Sequence, residues 1–110
     1  MNRIYLGEFE ELILLTVGIL NDKAYGVLIM EELDSQSNRK AKLSAIHAVL
    51  KRLEKKGLVT SFMGGATTQR GGRRKRMFTL TISGKAILDQ VRMVRDQMHD
   101  QIPQLIFKHA

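Results

Sequence analysis

The amino-acid sequence predicts a mostly helical α+β domain, and three observations support this class. Four segments have the apolar spacing or the end signals of helices, and together they cover most of the chain. Two short segments between the third and the fourth are rich in β-branched and aromatic residues, as strands are. A glycine- and arginine-rich stretch joins these two segments, which predicts a hairpin. The length of 110 residues suits about one domain with a modest core.

The first predicted helix covers residues 8–20. Three acidic residues lie in its first turn, where the positive end of the helix dipole favours them. One face of the helix is apolar, and Leu14, Leu15 and Ile19 add a second apolar face. A helix that is apolar on two sides is either buried on most sides or shared with another chain. We therefore predict that these three residues take part in dimerisation.

The segment after the first helix contains a turn, a second helix and a loop. The turn is expected at residues 21–23, and the second helix near residues 25–35. The polar stretch SQSNRKAK, residues 35–42, predicts a loop that ends in a short strand near Lys42 and Leu43.

The third predicted helix is the most informative element. Ser44 is a suitable N-cap, because its hydroxyl can accept a backbone hydrogen bond, and Gly57 is a suitable C-terminal stop. Between these ends, four apolar residues follow the spacing of one buried stripe: Ile46, Val49, Leu50 and Leu53. The outward face contains no carboxylate, since Glu54 lies to one side. That face consists of Ser44, His47, Ala48, Lys51 and Lys55, with Arg52 at its edge.

The hairpin and a last helix complete the predicted order. Residues 58–63 and 77–82 are the predicted strands, and Ser83 is the predicted N-cap of the last helix. This helix is expected to run to about Ile102, where Pro103 ends or kinks it. Three helices, a hairpin and a further helix form the order of a winged helix-turn-helix, in which the hairpin is the wing.

The last helix carries a candidate dimerisation surface. Its apolar residues follow a 4-3-4 spacing that is typical of a coiled-coil seam: Ile87, Val91, Val94 and Met98. This seam packs either on its own domain or on a second chain, and the apolar residues at 105–107 favour the second chain. We predict a winged-helix DNA-binding domain over residues 1–82 and a dimerisation helix with its tail over residues 83–110.

The net charge of +7 is concentrated in one part of the chain. Residues 36–76 carry twelve basic and one acidic side chains, whereas residues 1–35 carry two basic and seven acidic ones. The densest run is RGGRRKR, residues 70–76, with five basic side chains in seven positions. Such a localised basic block indicates a polyanionic partner, of which nucleic acid is the first choice and an anionic membrane the second.

Several classes of protein find little support in the sequence. The absence of Cys excludes disulfides, thiol catalysis and Cys-based zinc sites, and it suits a reducing cytoplasm. The longest apolar run is too short to span a bilayer, and the acidic N-terminal region does not fit a signal peptide. Neither a catalytic motif nor a phosphate-cradling loop occurs, so we expect neither an enzyme nor a cofactor. Asp96, His99 and Asp100 have metal-ligand spacing, but we interpret them as a solvated helix face.

Several short motifs occur together in one order: LGEFEELILL, AYG at 24–26, LKRLEKKGLV at 50–59, RGGRRKRMFTLT at 70–81 and Gly84. In this combination the chain resembles the PadR family of bacterial transcriptional regulators. The resemblance implies a dimeric winged helix-turn-helix that binds operator DNA, usually as a repressor. The short C-terminus resembles the compact members, in which a single C-terminal helix dimerises. Some relatives sense small molecules, but this sequence identifies no effector.

The resemblance implies roles for individual residues. The third helix corresponds to the recognition helix, and residues 71–76 lie in the wing. The family often has Ser, Gly and Tyr at the positions of Lys42, Ser44 and His47. We expect DNA contacts from two groups, which are Lys42, Ser44, His47, Ala48, Lys51 and Arg52 around the recognition helix and Arg70, Arg73, Arg74, Lys75 and Arg76 in the wing.

Two other functions suit the same features. A small basic RNA-binding or ribosome-associated protein would use the same charge, and a sequence-specific footprint on duplex DNA distinguishes it from a regulator. A winged-helix module that serves only protein contacts predicts no salt-dependent binding of nucleic acid.

Overall fold

The computed structural model describes residues 5–64 and 74–104, which form four helices and one two-stranded sheet. The helices are α1 (Glu8–Leu20), α2 (Gly26–Ser37), α3 (Leu43–Lys55) and α4 (Ile82–Asp100), and the strands are β1 (Val59–Met63) and β2 (Arg76–Leu80). A short 3-10 turn, Asn21–Lys23, lies between α1 and α2. The predicted class and order of elements are confirmed, and the wing is the hairpin of β1 and β2.

The core lies where α1, α2 and α3 meet, and the hairpin and α4 close it. The predicted apolar stripe of α3 is buried: Ile46, Val49, Leu50 and Leu53. The hairpin adds Val59 and Phe78 to the same cluster, and α4 adds Leu88. Burial of each such Ile or Leu side chain stabilises the fold by about 1.5–3 kcal/mol. This stripe therefore fixes the rotation of α3 and turns its opposite face to solvent.

A Schellman motif ends α3. Gly57 has a φ of 76°, in the left-handed region that glycine adopts without a Cβ penalty. Its amide donates to the carbonyl of Glu54 at 3.0 Å, and the Leu58 amide donates to the carbonyl of Leu53 at 2.9 Å. The predicted stop at Gly57 is confirmed, and the motif leads the chain directly into β1.

Hydrogen bonds along β2 join the wing to the body of the domain. On one side β2 pairs antiparallel with β1. On the other side the Phe78 amide donates to the carbonyl of Ala24 at 2.8 Å, and Tyr25 forms an isolated bridge with Met77. The segment that precedes α2 thus acts as a third, very short strand. The base of the wing is therefore held in a defined position beside the start of α2.

The start of α3 differs from the prediction. Leu43 is the first residue of the helix and Lys42 is its N-cap residue, so Ser44 lies inside the first turn and is not the cap. The predicted strand near Lys42 and Leu43 is also wrong. Lys42 has extended backbone angles, but the chain enters the helix at the next residue and has no room for a strand.

The ends of α4 also differ from the prediction. Thr81 is the N-cap residue instead of Ser83, and its hydroxyl accepts a hydrogen bond from the Gly84 amide at 2.9 Å. The reason is that β2 ends at Leu80, which leaves Thr81 extended and next to the first helical turn. The helix ends at Asp100, about two residues before the predicted end.

Candidate nucleic-acid interface

The exposed face of α3 begins with small and polar side chains. Ser44, His47 and Ala48 are exposed, and so is Lys51 one turn further along the helix. The N-cap residue Lys42 is exposed beside them. A hydroxyl, an imidazole and two ammonium groups can donate hydrogen bonds to anionic oxygens or to acceptors on base edges. The predicted outward face is therefore accessible to a partner.

The wing contributes a second basic element at its base. Of its predicted cations, Arg74 and Arg76 are exposed and Lys75 is half-buried. The predicted contacts Arg70 and Arg73 lie outside the residues that the structure describes. Three consecutive cationic side chains thus stand where the chain enters β2.

Two of these cations are held in place by neighbouring side chains. The Arg76 Nη1 atom donates to the Ser61 Oγ atom at 2.9 Å, and Ser61 Oγ donates to Glu54 Oε2 at 2.6 Å. The ammonium of Lys75 lies 3.9 Å from the centroid of the Tyr25 ring, which is a cation–π contact. Arg76 is thereby tied to β1 and α3, and Lys75 is tied to the start of α2.

A hollow of about 290 Å³ lies between the start of α3 and the base of the wing. The start of α2 forms its third side. The lining consists of Tyr25, Gly26, Val27, Leu43, His47, Lys75 and Arg76. This hollow brings the face of α3 and the cations of the wing to the same side of the molecule.

The imidazole of His47 lies directly against Gly26. A Cβ atom on residue 26 would lie 2.7 Å from His47 Nε2, which is closer than Cβ atoms pack, and at a tight 3.1 Å from Leu43 Cδ1. Glycine at this position therefore leaves the space that the imidazole occupies. The AYG motif thus has a physical role, since it places the aromatic ring of Tyr25 and the free space above Gly26 beside α3.

Arg52, a further predicted DNA contact, lies beside a carboxylate of its own chain. Its Nε atom is 3.7 Å from Glu10 Oε2, and Lys56 Nζ is 2.9 Å from the same oxygen. Burial raises the pKa of the Glu10 carboxyl, but the hydrogen bonds from Lys56 and the Gly7 amide and the charges of Lys56 and Arg52 together hold this pKa below its ordinary value. The Arg52 side chain remains 57% exposed, so it faces both this carboxylate and solvent.

The predicted dimerisation residues differ in their exposure. Four of them are exposed on the surface of the chain: Leu15, Ile19, Val94 and Met98. Ile87 and Val91 are half-buried. Leu14, by contrast, is completely enclosed by the core of its own chain.

A groove of about 610 Å³ separates α1 from α4. Leu15, Ile19 and Leu88 contribute apolar surface to it. Arg95 bridges the two helices, with its Nη2 atom 3.1 Å from Glu11 Oε1. Every residue from 92 to 100 is exposed, so the second half of α4 has little packing within its own chain.

A family model matches most of the sequence that forms this fold. The model is that of the Transcriptional regulator PadR-like family, and it covers residues 14–90. The chain belongs to the PadR-like family. Among curated proteins, none matches the chain.

Solved structures share the PadR-like fold over nearly the full length. A PadR family transcription regulator from Clostridium difficile is 26% identical, with 86% of this chain and 97% of that chain covered and a TM-score of 0.65. A PadR family transcriptional regulator from Eggerthella lenta is 20% identical, with 93% and 88% covered and a TM-score of 0.67. The protein smu.1704 from Streptococcus mutans is 22% identical, with 98% and 97% covered and a TM-score of 0.65.

Tyr25 is the residue of this PadR-like chain that sequence reasoning did not assign to the interface. Its ring lines the hollow and carries the Lys75 ammonium, although the two residues are far apart in sequence. The AYG motif was the available signal. It could not be given a role before the bridge between Tyr25 and Met77 placed the wing beside it.

Two further observations concern the described part of this PadR-like chain. In residues 5–64 and 74–104, no helix is both long and apolar enough to cross a membrane. Within the same ranges, no three His, Asp or Glu side chains converge in a way that could hold a metal ion.

Proposed function

We propose that the protein is a sequence-specific DNA-binding transcriptional regulator that acts as a homodimeric repressor on a two-fold operator. The observation that carries this proposal is the hollow that joins the start of α3 to the base of the wing. Because of this arrangement, α3 and the wing can both contact the same side of a polyanion. Membership in a family of transcriptional regulators supports the same conclusion.

The recognition helix is α3, and it enters the major groove with its N-terminal half. The major groove of B-DNA is about 12 Å wide and admits an α-helix. Ser44, Ala48 and Lys51 then lie nearest the bases, because they are exposed on the face opposite the buried stripe. Lys42 lies at the start of this face and contacts the backbone.

The wing anchors the complex on the phosphate backbone. Arg74, Lys75 and Arg76 carry the charge for this role within the described residues, and the sequence adds Arg70 and Arg73. Phosphate contacts fix the register of a protein on the duplex but carry no sequence information. The wing therefore contributes affinity, and α3 contributes discrimination between sequences.

A second copy of the chain covers α4 in the proposed dimer. The radius of gyration is 16.9 Å, whereas a compact domain of this length has about 13 Å. Every residue of α4 from 92 to 100 is exposed. Val94 and Met98 in this half of α4 are 47% and 64% exposed, and Leu15 and Ile19 are exposed on α1. Exposed apolar side chains on both helices are typical of an interaction site. Residues 83–110 thus form the proposed dimerisation segment.

A titration with three nucleic acids tests the proposed function. The protein is titrated with duplex DNA, with duplex RNA of the same sequence and with the single DNA strand, each at several salt concentrations. We expect tightest binding to duplex DNA, with an affinity that falls steeply as salt rises. Tighter binding to either RNA or the single strand would favour the RNA-binding alternative. Binding of none of the three would contradict the proposal.

A further inference from the structure

We propose that the hollow between Tyr25, His47, Lys75 and Arg76 binds one phosphate group. In the complex with DNA, this group is a backbone phosphodiester at the edge of the major groove. That the phosphate belongs to DNA rests on the proposed function, whereas the binding of a phosphate group rests on the residues of the hollow itself. The proposal assigns Tyr25 to the interface and makes His47 a backbone contact.

The size and the charge of the hollow suit a phosphate group. Its volume of about 290 Å³ leaves room for a phosphate group together with ordered water. Lys75 and Arg76 line it, and within the described residues no Asp or Glu does. A dianionic or monoanionic group with several acceptor oxygens would therefore meet donors without a competing carboxylate.

The cations of the hollow are already positioned. Lys75 is held 3.9 Å above the Tyr25 ring, and Arg76 is held by its hydrogen bond of 2.9 Å to Ser61. The Arg76 guanidinium has five N–H donors, so this bond leaves others for a ligand. Arginine binds phosphate oxygens in a bidentate way, and side chains that are already fixed lose less entropy on binding.

His47 stands at the wall of the hollow and not at the centre of the α3 face. Its Nε2 atom would lie 2.7 Å from a Cβ atom on residue 26, which shows that the imidazole is directed toward the start of α2. In this position its ring N–H can donate to a phosphate oxygen that also meets Lys75. The Tyr25 hydroxyl provides a further donor on the adjacent wall.

Uncharged phosphate analogues test the proposal. A duplex enriched by selection from random DNA is made in a series in which one phosphate at a time is replaced by methylphosphonate. Each member is titrated with the wild type, with Lys75→Met and with His47→Ala. The control is Lys85→Met, which removes one cation from α4, where Lys85 pairs with Asp89 at 2.5 Å.

We expect one backbone position in each half-site at which methylphosphonate lowers the affinity of the wild type and of Lys85→Met about tenfold, as loss of one charged hydrogen-bonded contact does. At those positions the same replacement should cost Lys75→Met and His47→Ala less than it costs the wild type, because each variant has already lost part of the contact. Equal losses in all four proteins at every position would overturn the proposal for DNA.

A second measurement separates the phosphate chemistry from the DNA. Inorganic phosphate is titrated onto the protein without DNA, at constant ionic strength, while the backbone amide signals of Gly26 and His47 are followed by NMR. Saturable shifts in the wild type that are absent in Lys75→Met support the phosphate site even if no duplex is bound. Absence of both these shifts and the methylphosphonate effect would overturn the inference, whereas failure to bind any duplex contradicts the proposed function alone.

Discussion

The Glu10 carboxylate on α1 accepts two hydrogen bonds from the Lys56 ammonium at the end of α3, at 3.0 and 2.9 Å. Glu10 is only 6% exposed, and it also accepts a hydrogen bond from the Gly7 amide at 2.8 Å. Lys56 donates a further hydrogen bond to the Tyr5 carbonyl at 2.7 Å. This contact joins the start of the first helix to the end of the proposed recognition helix.

Glu10→Gln should lower the free energy of unfolding by about 1–3 kcal/mol at pH 7, because a buried charged hydrogen bond is replaced by a neutral one. The pKa of Glu10 is lowered in the folded state, so the stability it provides is present above its unfolded pKa of about 4.3 and is lost as the pH falls further. The difference between wild type and variant should therefore shrink below about pH 4. Urea unfolding at a series of pH values measures it.

The control for this experiment is Glu31→Gln, which changes an exposed carboxylate on α2. It should alter the stability by less than about 0.5 kcal/mol at any pH. A difference between wild type and Glu10→Gln that stays constant from pH 7 to pH 3 would show that the ion pair with Lys56 does not contribute.

Gly84→Ala should destabilise the fold by about 3 kcal/mol, because a Cβ atom there would collide with the backbone carbonyl of Leu58 and with the Leu80 side chain. Backbone atoms cannot move aside as a flexible side chain can. Ser83→Ala is the matched change, since Ser83 is exposed in the same turn, and it should cost less than about 0.5 kcal/mol. Thermal unfolding compares the two variants, and equal melting temperatures would contradict the close packing of α4 on the Leu58 carbonyl.

Two sets of substitutions should separate affinity from discrimination. Replacement of both Arg73 and Arg74 with Ala should weaken binding to all duplexes similarly and reduce the salt slope by about 2. Lys51→Ala should instead weaken binding to the selected duplex by about 1–3 kcal/mol more than binding to random DNA. Titrations of each variant with both duplexes at several salt concentrations measure the affinity, the discrimination and the salt slope. An operator-specific loss in the wing variant, with an unchanged salt slope, would argue against a backbone-anchoring wing.

Val91→Asp combined with Val94→Asp should yield monomers or unfolded chains, because the dimer would bury two unpaired charges. A folded monomer should lose at least about 100-fold in operator affinity, since it can no longer engage two half-sites together. Light scattering and DNA titration measure both effects. The control is Ala86→Asp with Gln97→Asp, which adds the same charge at exposed positions about a quarter turn around α4. If the double variant at Val91 and Val94 still forms dimers, the dimer interface lies elsewhere.

The elements that the sequence predicts well are those that local rules determine. The buried stripe of α3 and its stop at Gly57 follow from helical spacing and from the backbone freedom of glycine, and both are confirmed. The predicted N-caps Ser44 and Ser83 are wrong, and for Ser83 the reason is not local. Whether Thr81 or Ser83 caps α4 depends on where β2 stops pairing with β1, and the sequence does not specify that residue.

Burial and the hollow depend on contacts between distant parts of the chain. Helical spacing places Leu14 and Leu15 on the same second apolar face of α1. Only the packing of α2, α3 and the hairpin around α1 decides that Leu14 is enclosed while Leu15 is exposed. The contact between Tyr25 and Lys75 likewise exists because β2 pairs with the segment before α2. The sequence indicates which basic residues are candidates for the interface, but it does not indicate that Lys75 and Arg76 line the same hollow as His47.

The most direct test of the dimeric regulator is the selection of bound sequences from random duplex DNA, followed by footprinting and by measurement of the mass of the complex. We predict two inverted half-sites with centres about 10–10.5 base pairs apart, or a multiple of that distance, bound by two chains. A single half-site bound by one chain would contradict the dimer, and no enrichment of any sequence would contradict sequence-specific DNA binding.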